Sequence, residues 1–150
     1  SGKSPFTRRD IEEYIKKQRA NHAPLNISED LGSNFSGLDL SGLDLSGSKL
    51  LRAQFVGSDL SNTKLMKAYL EETNFANANI KGADFSEASI ATANFHNADL
   101  TQAKLFKVYS EGAIFAGANL TEVKAENGVF NFSDFSNAIL DNANFYTARF

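Results

Sequence analysis

From Leu31 onward, nearly every position divisible by five carries a large apolar residue. The series opens Phe35, Leu40, Leu45, Leu50, Phe55 and runs to Leu140, Phe145 and Phe150, with Ser110 and Ala125 as its two departures. Two residues before such a position there is usually a small side chain, as at Ala78, Ala83, Ala88, Ala93 and Ala98, and the position between favours Asn or Asp, as at Asn74, Asp84 and Asn94. A period of five matches neither the 3.6 of a helix nor the 2.0 of a strand. The unit must therefore be a short extended step followed by a corner. The small and the large residue read as two inward positions per step, and Asn, Asp, Ser and Gly at the remaining positions accept turn conformations.

A second period sets the cross-section. Phe35, Phe55, Phe75, Phe95, Phe115 and Phe135 are 20 residues apart, whereas the next site in each set is Leu40, Leu60, Ile80, Leu100, Leu120 or Leu140. Four steps thus make one turn, equivalent residues stack, and residues 31–150 form six coils. At strand spacing, roughly 4.8 Å per coil, the stack is about 29 Å long. Stacked Phe rings should form a ladder inside it. At the two departures, Val108 precedes Ser110 and Val123 precedes Ala125, so a branched residue at the small site refills volume lost at the large one.

Runs such as ANANIKGADFSEASIATANFHNADL carry this pattern, and they resemble the A(D/N)Lxx signature of pentapeptide-repeat proteins. The resemblance covers residues 31–150. It implies an all-β solenoid, a right-handed quadrilateral β-helix with four pentapeptides per coil. It also implies a binding surface rather than catalysis, because some members of that family resemble duplex DNA in shape and charge and bind type II topoisomerases.

Residues 1–30 read as an N-terminal tail, a short capping helix and a linker. Thr7 is placed as an N-cap, Asp10 completes a capping box, and Phe6 and Ile11 are spaced for a hydrophobic staple. Ile11, Tyr14 and Ile15 form one apolar stripe, and Pro24 prevents the helix from continuing. The helix is expected to cover the first coil, whose interior and strand edges would otherwise be open. Ser1 to Ser4 lie outside this argument.

The chemistry of most function classes is missing. No cysteine is present, so there is no thiolate metal site and no cysteine nucleophile. The two histidines, His22 and His96, stand apart without a nucleophile or metal-ligand spacing beside them. Catalytic residues, cofactor and metal are all expected to be none. A net charge of −3 argues against direct nucleic-acid binding. No apolar run of about 18 residues suggests membrane insertion and no signal-peptide core is visible, so a cytoplasmic location is favoured.

Three surface features stand out. KLMKAYLEE at 64–72 echoes KLFKVYSEG at 104–112, so Lys64, Met66, Lys67 and Tyr69 recur as Lys104, Phe106, Lys107 and Tyr109 on the third and fourth sides. Tyr146 continues the Met66 and Phe106 site, and aromatic side chains flanked by lysine suit a protein partner. Apolar residues at outward sites, Ile114, Val129, Phe132 and Ile139, gather in the last coils, and with Phe145 and Phe150 they suggest self-association through the C-terminal coil. Finally, Asp39, Asp59 and Asp99, with Asp44 and Asp84 beside them, form an acidic edge. DNA carries one charge per roughly 1.7 Å, so a 29 Å rod imitating it needs about 17 negative charges. Residues 31–150 hold 13 Asp and Glu against 9 Lys and Arg. The sequence therefore favours a non-catalytic protein-binding or structural scaffold. The alternative is a DNA-mimicking binder of a type II topoisomerase (gyrase) that would protect it from quinolones.

Overall fold

Each five-residue step leaves three extended residues and a two-residue turn, too little for a continuous strand. In the computed structural model, which describes residues 2–150, the coils accordingly pair through single-residue parallel bridges, each joining a residue to the one 20 further on. The bridges run from Asn34↔Gln54 to Val129↔Arg149, along four sides. A typical step is 55–60. Ser58 donates its N–H to the Phe55 carbonyl (3.0 Å) across the turn, and Gly57, third in the turn, has a φ of 66°. A left-handed third residue is what a type II turn requires. Glycine meets this need at Gly37, Gly42 and Gly47, but elsewhere Asn, Lys, Glu and Phe132 (φ 61°) accept the same conformation.

Three axial bonds per step join the coils. Phe55 N–H reaches the Asn74 carbonyl (2.8 Å) and Gly57 N–H the Ala76 carbonyl (3.1 Å), both in the next coil, while Asp59 N–H reaches back to Leu38 (2.8 Å). Inside, Phe75, Phe85, Phe95 and Phe115 are fully buried. Phe35, Phe55, Phe75, Phe95, Phe115 and Phe135 stack as a ladder, with successive ring centroids 5.4, 5.4, 4.8, 5.0 and 5.0 Å apart. Ser110 and Ala125 are buried with Val108 and Val123 beside them, as the refilling argument expects. A further filler was not read from the sequence. Phe130, 20 residues after Ser110, lies against both Phe115 and Phe135, and its ring passes so close to Gly128 that a Cβ there would stand 2.5 Å from it.

The first helix, α1 (Arg8–Ala20), begins with the expected capping box between Thr7 and Asp10. It runs to Ala20, where Asn21 caps it, four residues short of Pro24. Ile11 and Ile15 are buried against the first coil. Phe6 stacks on Phe35 at 5.7 Å, so it adds a rung to the aromatic ladder. The expected linker also contains a second helix, α2 (Ile27–Leu31), tied to α1 by a hydrogen bond from the Tyr14 hydroxyl to Asp30 (2.5 Å). Leu25 and Ile27 are buried, and this segment pairs with the fourth side: Lys49 N–H donates to Leu25 (2.9 Å) and Ser28 N–H to Lys49 (3.2 Å). No helix among the described residues is long and apolar enough to cross a membrane.

Candidate interaction surfaces

The bridge residue of each step lies between two inward neighbours and so points outward, where its side chain meets the following turn. Asp or Asn there accepts the N–H two residues on, as Asp59 does from Ser61 (2.9 Å) and Asn94 from His96 (2.9 Å). This is why the position favours these two residue types: the side chain closes an Asx turn. The acidic edge is thus bound up in its own backbone. Asp39 accepts both the amide (3.0 Å) and the hydroxyl (2.7 Å) of Ser41, which hold its carboxyl below the ordinary value, with Arg8 adding to the effect. Partial burial opposes ionisation at Asp99, yet hydrogen bonds from Thr101 and the nearby Lys81 bring it below the ordinary value as well. Asp39, Asp44 and Asp99 are paired with Arg8 (3.4 Å), Arg19 (3.7 Å) and Lys81 (3.5 Å) respectively. The third side mixes signs along its bridge column, Asp44, Lys64, Asp84, Lys104, Lys124 and Asn144.

The echo of Lys64–Tyr69 in Lys104–Tyr109 lands on the same part of the third and fourth sides, in two coils separated by the coil that carries Asp84 and Ser89. Met66, Tyr69, Phe106 and Tyr109 are exposed, as are Lys64, Lys67, Lys104 and Lys107. Tyr146 stands further along the same corner and is 74% exposed. Lys49 lies over the Tyr69 ring at 6.0 Å and Lys107 over Phe106 at 5.2 Å, so cations already attend two of these aromatics. The Tyr109 hydroxyl donates to Glu111, and that bond raises its pKa. Leu51, 45% exposed on the edge of the fourth side, was not singled out from the sequence. Periodicity marks its position as a corner without saying which corners matter.

At the C-terminal coil, Phe132 is 86% exposed, Phe150 69%, Ile139 47% and Leu140 42%, while Phe145 and Val129 are half-buried. No group of three or more His, Cys, Asp or Glu side chains that could hold a metal occurs among the described residues.

The family model described as pentapeptide repeats matches residues 32–65, 68–105 and 113–150, in 8 copies. The chain belongs to this family. Among solved structures, a pentapeptide repeat protein from the Arabidopsis thaliana thylakoid lumen is 28% identical, with a TM-score of 0.63, covering 81% of this chain and 75% of its own. The pentapeptide repeat protein Rfr23 from the cyanobacterium Cyanothece 51142 is 26% identical, with a TM-score of 0.40 over 71% of this chain and 63% of that one. QnrB1, a plasmid-mediated fluoroquinolone resistance protein, is 21% identical, with a TM-score of 0.44 over 79% and 70%. No curated protein matches the chain. Within this pentapeptide repeat chain the family model stops at 105 and resumes at 113, omitting the turn at Phe106 and Lys107 and the bridge residue Tyr109.

Proposed function

We propose that this pentapeptide repeat chain is a non-catalytic solenoid that binds another protein through its third and fourth sides. The supporting observation is the exposed strip of Met66, Tyr69, Phe106 and Tyr109 with Lys64, Lys67, Lys104 and Lys107 beside them. The aromatic side chains supply contact area at low entropic cost, Met66 adds an adaptable apolar contact, and the flanking cations orient an acidic or polar partner surface. In this reading residues 1–30 serve as a tail and cap, and residues 31–150 present the surface. Cell extract passed over the immobilised chain and over a Tyr69→Ala, Phe106→Ala, Tyr109→Ala variant tests it. We expect at least one protein to be retained by the first and lost by the second. An unchanged retained set, with circular dichroism intact, overturns the assignment of the strip.

A second reading is self-association through the C-terminal coil, favoured by the exposure of Phe132, Ile139, Leu140 and Phe150. Phe132→Lys with Ile139→Glu should then turn a sedimenting dimer into a monomer, and a monomeric starting protein overturns it. The topoisomerase alternative is weaker. Of the five residues in the acidic edge, Asp39, Asp44 and Asp99 are already paired with cations, and Lys64, Lys104 and Lys124 interrupt the third side. Protection of gyrase from a quinolone in a supercoiling assay would restore it.

A further inference from the structure

The fourth side carries an incomplete aromatic ladder. Its bridge column reads Lys49, Tyr69, Ser89, Tyr109, Val129, Arg149. Tyr69 and Tyr109 are 48% and 45% exposed and stand two coils apart, about 10 Å at strand spacing. Ser89 lies between them with no ring above it. The interior shows what such a gap can hold: one ring per coil, with centroids 4.8 to 5.4 Å apart. The space over Ser89 thus has the rise of one aromatic ring. Charge alternates with the same period along the adjacent corner, which reads Gly47, Lys67, Glu87, Lys107. Lys67 and Glu87 are exposed, and neither forms an ion pair among the described residues.

We propose that a second copy of this chain docks face to face and antiparallel on the fourth side, with the Tyr69 ring of each protomer filling the gap over Ser89 of the other. This rests on the reading of the third and fourth sides as a binding surface, and it names the partner. A two-fold axis running across the face reverses the order of the coils but keeps the same corner on the same edge. Setting the Tyr69 coil opposite the partner's Ser89 coil therefore also brings Lys67 opposite the partner's Glu87, twice by symmetry. The same register sets Tyr109 opposite the partner's Lys49, where a cation can lie over the ring as Lys49 already does over Tyr69 at 6.0 Å. Shifting the register by two coils would set Tyr109 over Ser89 and Lys107 opposite Glu87 but would also face Lys49 with Arg149 at both ends, a like-charge contact that the first register avoids. The contact spans four coils, roughly 19 Å, on one narrow face. It belongs with small, weak interfaces.

Sedimentation of the full chain up to about 1 mM, in the concentration range of such weak contacts, tests the proposal. We expect a dimer. Lys67→Glu and Glu87→Lys should each weaken it at least about tenfold through like-charge contacts. An equimolar mixture of the two variants should recover it, because every crossed pair is then opposite in sign. Both substitutions keep the turn, since Lys67, Glu87 and Lys107 already share its left-handed conformation, with φ of 58°, 60° and 53°. Ser89→Tyr, which completes the chain's own ladder, should abolish the dimer with circular dichroism unchanged. The chain has no cysteine, so a Tyr69→Cys chain mixed with a Ser89→Cys chain should cross-link through a short bis-maleimide, and Val129→Cys alone, whose two copies stand five coils or about 24 Å apart along the stack in this register, should not. A monomer at the highest concentration overturns the proposal, and so does a dimer indifferent to all three charge and ladder tests. Retention of another protein from extract in either case would leave the broader reading of these sides standing and remove only the second copy.

Discussion

The first and last coils are built from the same pentapeptide and meet different fates. In the first, the bridge residues Asn34, Asp39, Asp44 and Lys49 turn their carbonyls away from the stack, where no earlier coil supplies an N–H. Each finds a donor from the N-terminal segment, one per side. Ser4 Oγ reaches Asn34 (2.6 Å), Arg8 reaches Asp39 (3.3 Å), Arg19 reaches Asp44 (3.0 Å) and the Ser28 amide reaches Lys49 (3.2 Å). Phe6, Ile11, Ile15 and Ile27 cover the interior beneath. In the last coil the inward N–H groups of Phe135, Leu140, Phe145 and Phe150 donate to no backbone carbonyl among the described residues. Leu140 and Phe150 are exposed, although Leu120 and Phe130 one coil earlier are buried. The contrast teaches that an inward residue is buried by its neighbouring coil and not by its own pentapeptide, as a solenoid with nearest-neighbour cohesion demands.

That lesson can be broken most decisively in mid-stack. Phe95→Ala removes a ring that has both neighbours, and we expect a loss of about 3–5 kcal/mol in urea unfolding. A loss under about 1 kcal/mol would mean the coil-to-coil ladder is not what holds the interior. Ile11→Ala, in the helix that substitutes for a missing coil, should cost somewhat less, about 2–3 kcal/mol by the same measurement. An effect below that of an ordinary surface substitution, about 0.5 kcal/mol, would show the cap to be dispensable. Phe150→Ala, chemically the same change as Phe95→Ala, should cost less than about 1 kcal/mol, since the ring is already 69% exposed. Equal losses at Phe95 and Phe150 would contradict the nearest-neighbour account.

The smallest effect concerns pH. The Asp39 and Asp134 carboxyls are held below the ordinary value of 3.8 chiefly by the hydroxyls of Ser41 and Ser136. A group whose folded pKa is depressed adds stability that is fully present above its unfolded value and is lost as pH falls through the folded one. The urea midpoint should therefore hold down to about pH 5 and decline below about pH 4. Ser41→Ala with Ser136→Ala should flatten that decline, and an unchanged slope would remove the Asx hydroxyls from the explanation.

The sequence revealed the coil because an inward position recurs at a fixed number, and burial at Phe75 or Ala98 needs no knowledge of distant residues. It also placed the Thr7–Asp10 capping box and the outward Tyr69 and Tyr109. It did not reveal α2, since Ile27–Leu31 is five residues long, too short for a helical period to show, and owes its place to pairing with Lys49. Nor did it show that Asp39 and Asp44 answer to Arg8 and Arg19, because partners 31 and 25 residues apart leave no local pattern. The acidic edge looked available for a ligand for the same reason: the turn chemistry of its aspartates is legible in the sequence, but the cations that face Asp39, Asp44 and Asp99 are not.

Of the three axial bonds in each step, two N–H groups point toward the later coil and one points back. One peptide dipole per step is therefore left uncancelled, and all of these add along the stack. The molecule is in effect a polarised rod, with partial negative charge at its first coil and partial positive charge at its last, in the manner of an α-helix written with the opposite polarity. The two guanidinium groups of Arg8 and Arg19 sit at the negative pole. The positive pole is presented by the coil of residues 131–150, so acidic side chains brought to that face gain from the field of the whole stack, and lysines brought there are repelled by it.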